Sequence, residues 1–176
     1  MQEFLTDVKT LRERAREDID RGPLTDLRGA DLDRVINVLN QALATEIVCV
    51  LRYKRHYFTA DGLNALSAAD EFLEHASEEQ DHADQIAERI QQLGGDPDFS
   101  PDVVTGRSHT AYDSSEELEA MMREDLVAER VVIASYAEII NWLGDGDPHT
   151  RRMLESILAV EEEHAEDMLD LLTGIS

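Results

Sequence analysis

Four segments of this chain have apolar residues at three- and four-residue steps, and each places a glutamate in the middle of its apolar stripe. These glutamates are Glu46, Glu79, Glu129 and Glu161. Apolar residues at this spacing form one face of an α-helix, which is buried when helices pack together. A buried carboxylate without a counter-charge is strongly disfavoured, and several in one core repel each other. A helical bundle of this sequence therefore needs something that neutralises its core.

The two halves of the chain repeat this pattern. Glu46 precedes a Glu-x-x-His motif at 79–82 by 33 residues, and Glu129 precedes a second such motif at 161–164 by 32 residues. A single Glu-x-x-His is a weak signal in an acidic chain. The matched spacing in both halves makes the arrangement specific.

Two divalent cations would neutralise the four carboxylates, because four negative charges and two doubly positive ions sum to zero. His82 and His164 add neutral nitrogen ligands from the same faces, since three residues along a helix make nearly one turn. Mixed oxygen and imidazole ligands suit iron or manganese better than calcium or magnesium, and no thiolate cluster indicates structural zinc. The sequence predicts a pair of iron or manganese ions. Buried salt bridges without metal are the alternative.

Two tyrosines, Tyr53 and Tyr136, each follow a lone glutamate by seven residues, so that 46–53 and 129–136 look like copies of one another. Their hydroxyls would hydrogen-bond the ligand carboxylates or supply electrons. The other interpretation is that both are core aromatics with satisfied hydroxyl groups. Both interpretations stay open at this point.

The limits of the helices can be read from breakers and capping residues. A short N-terminal helix is expected over about 2–18, with Phe4, Leu5, Val8 and Leu11 on one side to dock on a neighbour, before the breaker Arg21-Gly22-Pro23. Core helices are expected over about 31–58, 64–93, 114–144 and 148–172.

No strand pattern is convincing. Two short connections predict antiparallel hairpins, and the linker over about 95–113 is long enough to run the length of a bundle. The prediction is an all-α four-helix bundle over 29–176 with one long crossover between its second and third helices. An N-terminal extension with a short helix, over 1–28, precedes the bundle.

The charge balance restricts the partners. A net charge of −23, from 39 acidic and 16 basic residues, repels nucleic acid and anionic membranes, so we expect neither as a partner. Charged residues are expected to interrupt every apolar run that could cross a bilayer. With Cys49 as its one cysteine the chain has no intrachain disulfide, which favours a reducing cytoplasm. We interpret Cys49 itself as a small buried hydrophobe.

Beyond the ligand pattern, residues 33–172 resemble a bacterioferritin. LNQALATEIVCVLRYKRHYF resembles the first core helix of that family and EEQDHADQIAERI resembles the second. A Glu from each of two helices with Glu-x-x-His from the other two is typical of ferritin-like di-iron proteins. The resemblance implies two iron ions, with manganese or zinc as substitute metals. It also implies bridging ligands Glu79 and Glu161, terminal ligands Glu46 and Glu129, and one histidine for each iron, His82 and His164.

Two departures from the bacterioferritin pattern modify this expectation. Bacterioferritins bind haem through a methionine directly after the ligand glutamate of the second core helix, and this position is Gln80, so no haem is expected. The sequence also ends directly after the fourth core helix, without the short fifth helix of the large bacterioferritin shell. A smaller dodecameric homo-oligomer, as in Dps-like proteins, is therefore favoured.

The function implied by the resemblance is that of a ferroxidase. Such a protein oxidises Fe(II) with O₂ or H₂O₂ and deposits ferric iron inside a hollow shell. The main alternative is a di-iron or di-manganese oxidase or peroxidase without storage, and the third is a purely structural bundle. His75, near Glu74 and Glu78, belongs either to a cavity lining that nucleates mineral or to a solvated run of charges.

Overall fold

The computed structural model describes residues 6–17, 19, 31–62 and 65–174, and these residues form six helices and no strand. The all-α prediction is confirmed. Helix α2 packs along α3, α5 packs along α6, and contacts of α2 with α5 and of α3 with α6 join the two hairpins into a four-helix bundle. The helices are α1 Val8–Glu17, α2 Leu32–Thr59, α3 Ala65–Gln92, α4 Pro101–Arg107, α5 Leu118–Leu143 and α6 Pro148–Gly174.

Contacts across the bundle fix the direction of its helices. Tyr53 of α2 reaches Glu129 of α5, whereas Glu46, earlier in α2, is reached by Tyr136, later in α5. The two helices therefore run antiparallel, and a tyrosine of each half meets a glutamate of the other. These reciprocal tyrosine–glutamate contacts follow from the sequence repeat, because equivalent positions on two antiparallel helices are related by a two-fold axis.

The apolar core is divided along the bundle axis into two clusters. One contains Leu43, Ile86 and Leu154 among its members, and the other is built around Phe72 and Met168. The glutamates of the four stripes lie between the two clusters on every helix. Apolar side chains therefore close the middle of the bundle to water from both ends.

A short helix, α4, lies in the linker, where the sequence analysis had placed no helix. Pro101 occupies its first turn, where a missing N–H costs nothing because it would have no partner in the helix. Val104 is buried against Ala44 and Val48 of α2. Asn40 of α2 also fastens the linker through two bonds to the backbone at 96 and 98, of 3.2 and 2.8 Å. Packing on α2 therefore stabilises a helix too short to form alone.

Most helix ends agree with the sequence prediction within one or two residues, but α5 begins at Leu118 rather than near 114. The N-cap residue is Glu117, and its side chain makes no capping hydrogen bond. The Asp113 carboxylate accepts the backbone N–H of Ser115 at 2.9 Å, and Arg55 of α2 donates to the Ser115 carbonyl at 2.8 Å. Both bonds hold the chain in a turn before the helix starts.

The N-terminal extension is only partly described. Helix α1 contributes no buried residue, so its docking on a neighbour stays a prediction. Phe4 and Leu5, the breaker Arg21-Gly22-Pro23, most of the predicted domain boundary and the predicted helix start at Asn64 lie outside the described residues.

Helix α2 corrects one expectation from the sequence. Among the described residues it is the one helix that is long and apolar enough to cross a membrane, with at most two charged residues in an 18-residue window. Charges therefore do not interrupt every apolar run. Within that window 61% is buried inside the bundle, and the core helix of a bundle passes the same test of length and composition.

Candidate metal centre

The six residues predicted as ligands meet in the middle of the bundle, and all are buried. Their ligand atoms form two groups, and within each group the atoms lie within 4.8 Å of one another. Glu79 and Glu161 belong to both groups, which is the arrangement expected of two bridging carboxylates. The groups are Glu46, Glu79, His82 and Glu161, and Glu79, Glu129, Glu161 and His164.

The distances within each group leave room for an ion. His82 Nδ1 lies 3.6 Å from oxygens of Glu46 and Glu79, and 2.9 Å from Glu161 Oε1. His164 Nδ1 lies 3.7 Å from Glu79 Oε1 and 3.6 Å from Glu161 Oε2. Two ligands that are each about 2.1 Å from one ion lie roughly 3–4 Å apart. Most of these separations suit ligands that share an ion better than partners in a direct hydrogen bond.

Several buried ligand atoms of the two groups have no hydrogen-bond partner, and their chemistry also fits a pair of metal ions. Each unsatisfied buried polar atom costs about 1–3 kcal/mol, and charged ones cost more. Salt bridges alone, the alternative without metal, would leave this cost in place. Eight buried ligand atoms have no hydrogen-bond partner among the described residues: Glu46 Oε2, both oxygens of Glu79, His82 Nδ1, Glu129 Oε2, both oxygens of Glu161, and His164 Nδ1.

The metal-free centre holds protons at neutral pH. Burial and repulsion from Glu79 raise the pKa of Glu46 to about 8. Burial disfavours the charged form of His82, yet the neighbouring carboxylates of Glu161 and Glu46 raise the pKa of His82 to about 12. A metal ion that binds these atoms must displace their protons.

We therefore expect metal affinity to rise with pH. Between pH 6 and 8 the affinity for Zn²⁺ should increase by about tenfold per pH unit for each proton released. Titration calorimetry in two buffers of different ionisation enthalpy gives the number of protons directly. An affinity that does not depend on pH would contradict the assigned protonation of the metal-free centre.

The two tyrosines support the ligand carboxylates. Tyr53 donates to Glu129 Oε1 at 2.6 Å, and the Tyr136 hydroxyl donates to Glu46 Oε1. In each carboxylate the second oxygen, Oε2, has no hydrogen-bond partner among the described residues. The tyrosine thus fixes one oxygen and leaves the other free to bind an ion.

Replacing Tyr53 by Phe should weaken metal binding without unfolding the bundle. The Glu129 carboxylate would lose the donor that orients it, and loss of such a partner typically lowers metal affinity about 10–100-fold. Calorimetric titration with Zn²⁺ measures the change. Tyr57→Phe, which removes the same hydroxyl one turn further along α2, is the matched control, and equal effects of the two variants would refute the orienting role of Tyr53.

Glu78 contacts His164 on the side of the ring that faces away from the centre. Its Oε2 lies 2.7 Å from His164 Nε2, on the opposite side of the ring from Nδ1. If Nε2 carries the donated proton, the neutral ring presents the Nδ1 lone pair to the centre. The sequence suggested only a cavity lining or a solvated role for Glu78, because nothing in the spacing shows which acid faces α6.

A buried charge network beside the centre was missed by the sequence analysis. Arg52 Nε lies 2.7 Å from Asp125 Oδ1, and Arg52 Nη2 lies 3.7 Å from Glu129 Oε1. His56 Nδ1 lies 2.8 Å from the other oxygen of Asp125. The available signal was Asp125 itself, which lies one turn before Glu129 on the same apolar stripe.

Cys49 and His75 are also buried. Cys49 has no exposed surface, as expected of a small hydrophobe, and burial raises the pKa of its thiol. His75 is only 1% exposed, so it does not belong to a solvated run of charges. Its ring stacks on that of His164, with centroids 4.0 Å apart.

In this protein four long helices converge on two carboxylate–histidine groups that share two glutamates. The model of the ferritin-like domain family matches residues 36–176. The chain belongs to this family.

Individual relatives agree with this assignment. A nutrient stress-induced DNA-binding protein from a Synechococcus species is 32% identical over 130 residues, which cover 72% of this chain and 74% of the relative. Bacterioferritin from Desulfovibrio desulfuricans is 29% identical over 74% of this chain and 70% of its own length. Among solved structures, a dodecameric thioferritin, the bacterioferritin-related protein from Bacteroides fragilis, superposes with a TM-score of 0.82 at 32% identity, covering 92% of this chain and 95% of its own.

Proposed function

We propose that this protein is a ferroxidase that binds two Fe(II) ions at the centre and oxidises them with O₂ or H₂O₂. The observation that carries the proposal is the pair of ligand groups that share Glu79 and Glu161. Two iron ions held side by side supply two electrons to one oxidant molecule. The negative charge of four carboxylates balances the charge of two Fe(II) ions. The charge of two ferric ions exceeds this negative charge, so the centre holds them less favourably as a pair.

The residues of the centre and its surroundings hold and orient the ligands of the two iron ions. Glu46 and Glu129 serve as terminal ligands, each oriented by a tyrosine hydroxyl. His82 and His164 each supply one nitrogen, and Glu78 orients His164. The apolar clusters above and below exclude water, which strengthens the attraction between the carboxylates and the ions.

We further propose that the chain assembles into a hollow homo-oligomer, with a dodecamer favoured, that stores the ferric product. The support is the dodecameric thioferritin, which matches this chain over nearly its whole length. Large apolar side chains on the surface, such as Phe58 and Leu66 at 79% and 83% exposed, suit burial between subunits. We expect no nucleic-acid partner, although the Synechococcus relative is named a DNA-binding protein, because the net charge of −23 repels phosphate.

Iron loading in air tests the proposal. Excess Fe(II) is added to the metal-free protein, and iron per chain is measured across a size-resolved elution peak. A large assembly with far more than two irons per chain is the expected result. Two irons per chain in a small oligomer would favour the di-iron or di-manganese oxidase instead, and an iron-free peak would refute both functions.

A further inference from the structure

The metal ligands repeat between the two halves of the chain, but the charged residues beside them do not. Arg52 follows the terminal ligand Glu46 by six residues. The equivalent position after Glu129 is Ser135, whose hydroxyl donates to a backbone carbonyl of its own helix at 2.9 Å. Asp125 precedes Glu129 by four residues, whereas an alanine precedes Glu46 by four. The buried ion pair of Arg52 and Asp125 therefore has no counterpart related to it by the repeat.

The positive charge of Arg52 lies beside only one of the two terminal ligands. Its Nη2 is 3.7 Å from Glu129 Oε1, and both side chains are almost fully buried. Asp125 contacts the guanidinium group at Nε, at 2.7 Å, so that Nη2 faces Glu129. Among the residues that the structure describes, Glu46 pairs with no lysine or arginine, and its ion-pair partner is His82 at 3.6 Å. Glu129 thus has a permanent cation beside it, and Glu46 has none.

A cation beside Glu129 opposes binding of a metal ion to the group of Glu129 and His164. The negative charge of Glu129 is already partly compensated by Arg52 before any metal binds. Like charges also repel each other several times more strongly in a protein core than in water. Asp125 offsets only part of this repulsion, because it contacts the guanidinium group at Nε and not at the end that faces Glu129.

Glu78 acts in the opposite direction on the same group, because its carboxylate contacts His164 at 2.7 Å. The residue equivalent to Glu78 in the second half of the repeat is Val160. The Glu78 side chain is 42% exposed, whereas the Arg52 side chain is 1% exposed. Water and salt screen an exposed charge and leave a buried one largely unscreened. The repulsion from Arg52 therefore exceeds the attraction from Glu78.

We infer that the two halves of the dinuclear centre are inequivalent. The group of Glu46 and His82 binds the first ion and retains it, whereas the group of Glu129 and His164 binds the second ion and releases it first. Arg52 acts through Glu129 and is a positioning residue. The inference rests on the proposed function, because it requires two ions at the centre. In a ferroxidase, the ferric ion held by Glu129 is then the one that passes to the store.

Calorimetric titration of two matched variants with Zn²⁺ tests the inequivalence. Two ions that share Glu79 and Glu161 repel each other even at a symmetric centre, so weaker binding of the second ion is not by itself a test. Glu46→Gln and Glu129→Gln remove the same charge from equivalent positions of the repeat, and at a symmetric centre both would weaken the first ion equally. We expect Glu46→Gln to weaken the first ion about tenfold or more, and Glu129→Gln to weaken it less than about threefold.

Equal losses in the two variants, or the larger loss in Glu129→Gln, would overturn the inference. A wild type that binds no Zn²⁺ would instead refute the dinuclear centre and the proposed function with it. The order of release is measured on the zinc-loaded wild type, which needs no substitution. Excess chelator should remove one ion per chain about tenfold faster than the other, and removal of both ions in a single phase would contradict the order of release.

The double variant Arg52→Met/Asp125→Leu tests the part of Arg52, because it removes the ion pair without leaving an unpaired buried charge. In this background the two substitutions of the terminal ligands should weaken the first ion to within about threefold of each other. Arg52→Lys keeps a positive charge at this position and should keep the tenfold difference. Circular dichroism verifies that each variant is folded. A tenfold difference that persists in the folded double variant, or one that disappears in folded Arg52→Lys, would refute the role of the Arg52 charge.

Discussion

Glu161→Gln is expected to abolish binding of both metal ions and to lower the initial rate of Fe(II) oxidation by about 100-fold or more. Glu161 belongs to both ligand groups, so a neutral amide at this position removes a charged oxygen from each ion at once. The amide also brings a donor next to His82, whose Nδ1 lies 2.9 Å from Glu161 Oε1. The rate is followed by the absorbance of the ferric product, and metal content by elemental analysis.

Glu162→Gln is the matched control, because it removes the same charge from the next residue of α6, which is exposed. Thermal denaturation adds a measurement that needs no iron. Zn²⁺ at a thousand times its dissociation constant stabilises a binding-competent protein by about 4 kcal/mol, so it should raise the Tm of the wild type and of Glu162→Gln but not of Glu161→Gln. If Zn²⁺ left the wild type unchanged, buried salt bridges without metal would be the better account.

Arg52→Met should lower the free energy of unfolding by about 3–5 kcal/mol. Arg52 and Asp125 are both buried, and their 2.7 Å contact compensates a carboxylate that has no access to water. Without the guanidinium, Asp125 keeps only His56 as a partner within the network. Chemical denaturation of the metal-free protein measures the change.

Lys54→Met provides the control for this prediction, since Lys54 lies two residues further along α2 and is exposed. The double variant Arg52→Met/Asp125→Leu should recover much of the lost stability, because a buried ion pair replaced by apolar side chains often costs little. A double variant as unstable as the single one would show that Arg52 acts through its packing rather than its charge.

Much of the bundle could be predicted because its signals are local. Apolar spacing places Leu43 or Ile86 on a buried face whatever lies opposite, and α3 ends at Gln92, one residue from its predicted end. The six candidate ligands could be named because each is a polar residue on an apolar stripe. That they bind iron stays a prediction, which the experiments above test.

Other features could not be predicted because they depend on residues distant in the sequence. Helix α4 was missed, since it is too short to form alone and is stabilised by the contact of Val104 with α2. The start of α5 was misplaced because Arg55, 60 residues earlier, holds the turn before it.

The sequence by itself determined the helical class, the repeat and the six candidate ligands, because periodicity and composition are properties of each segment alone. Only the tertiary structure decided which other charged side chains are buried beside them and which partners each one meets. Three pairs of contacting residues show this: Arg52 with Asp125, Tyr136 with Glu46, and Asp167 with His75. Each pair joins two helices whose relative rotation and register depend on the packing of the whole bundle.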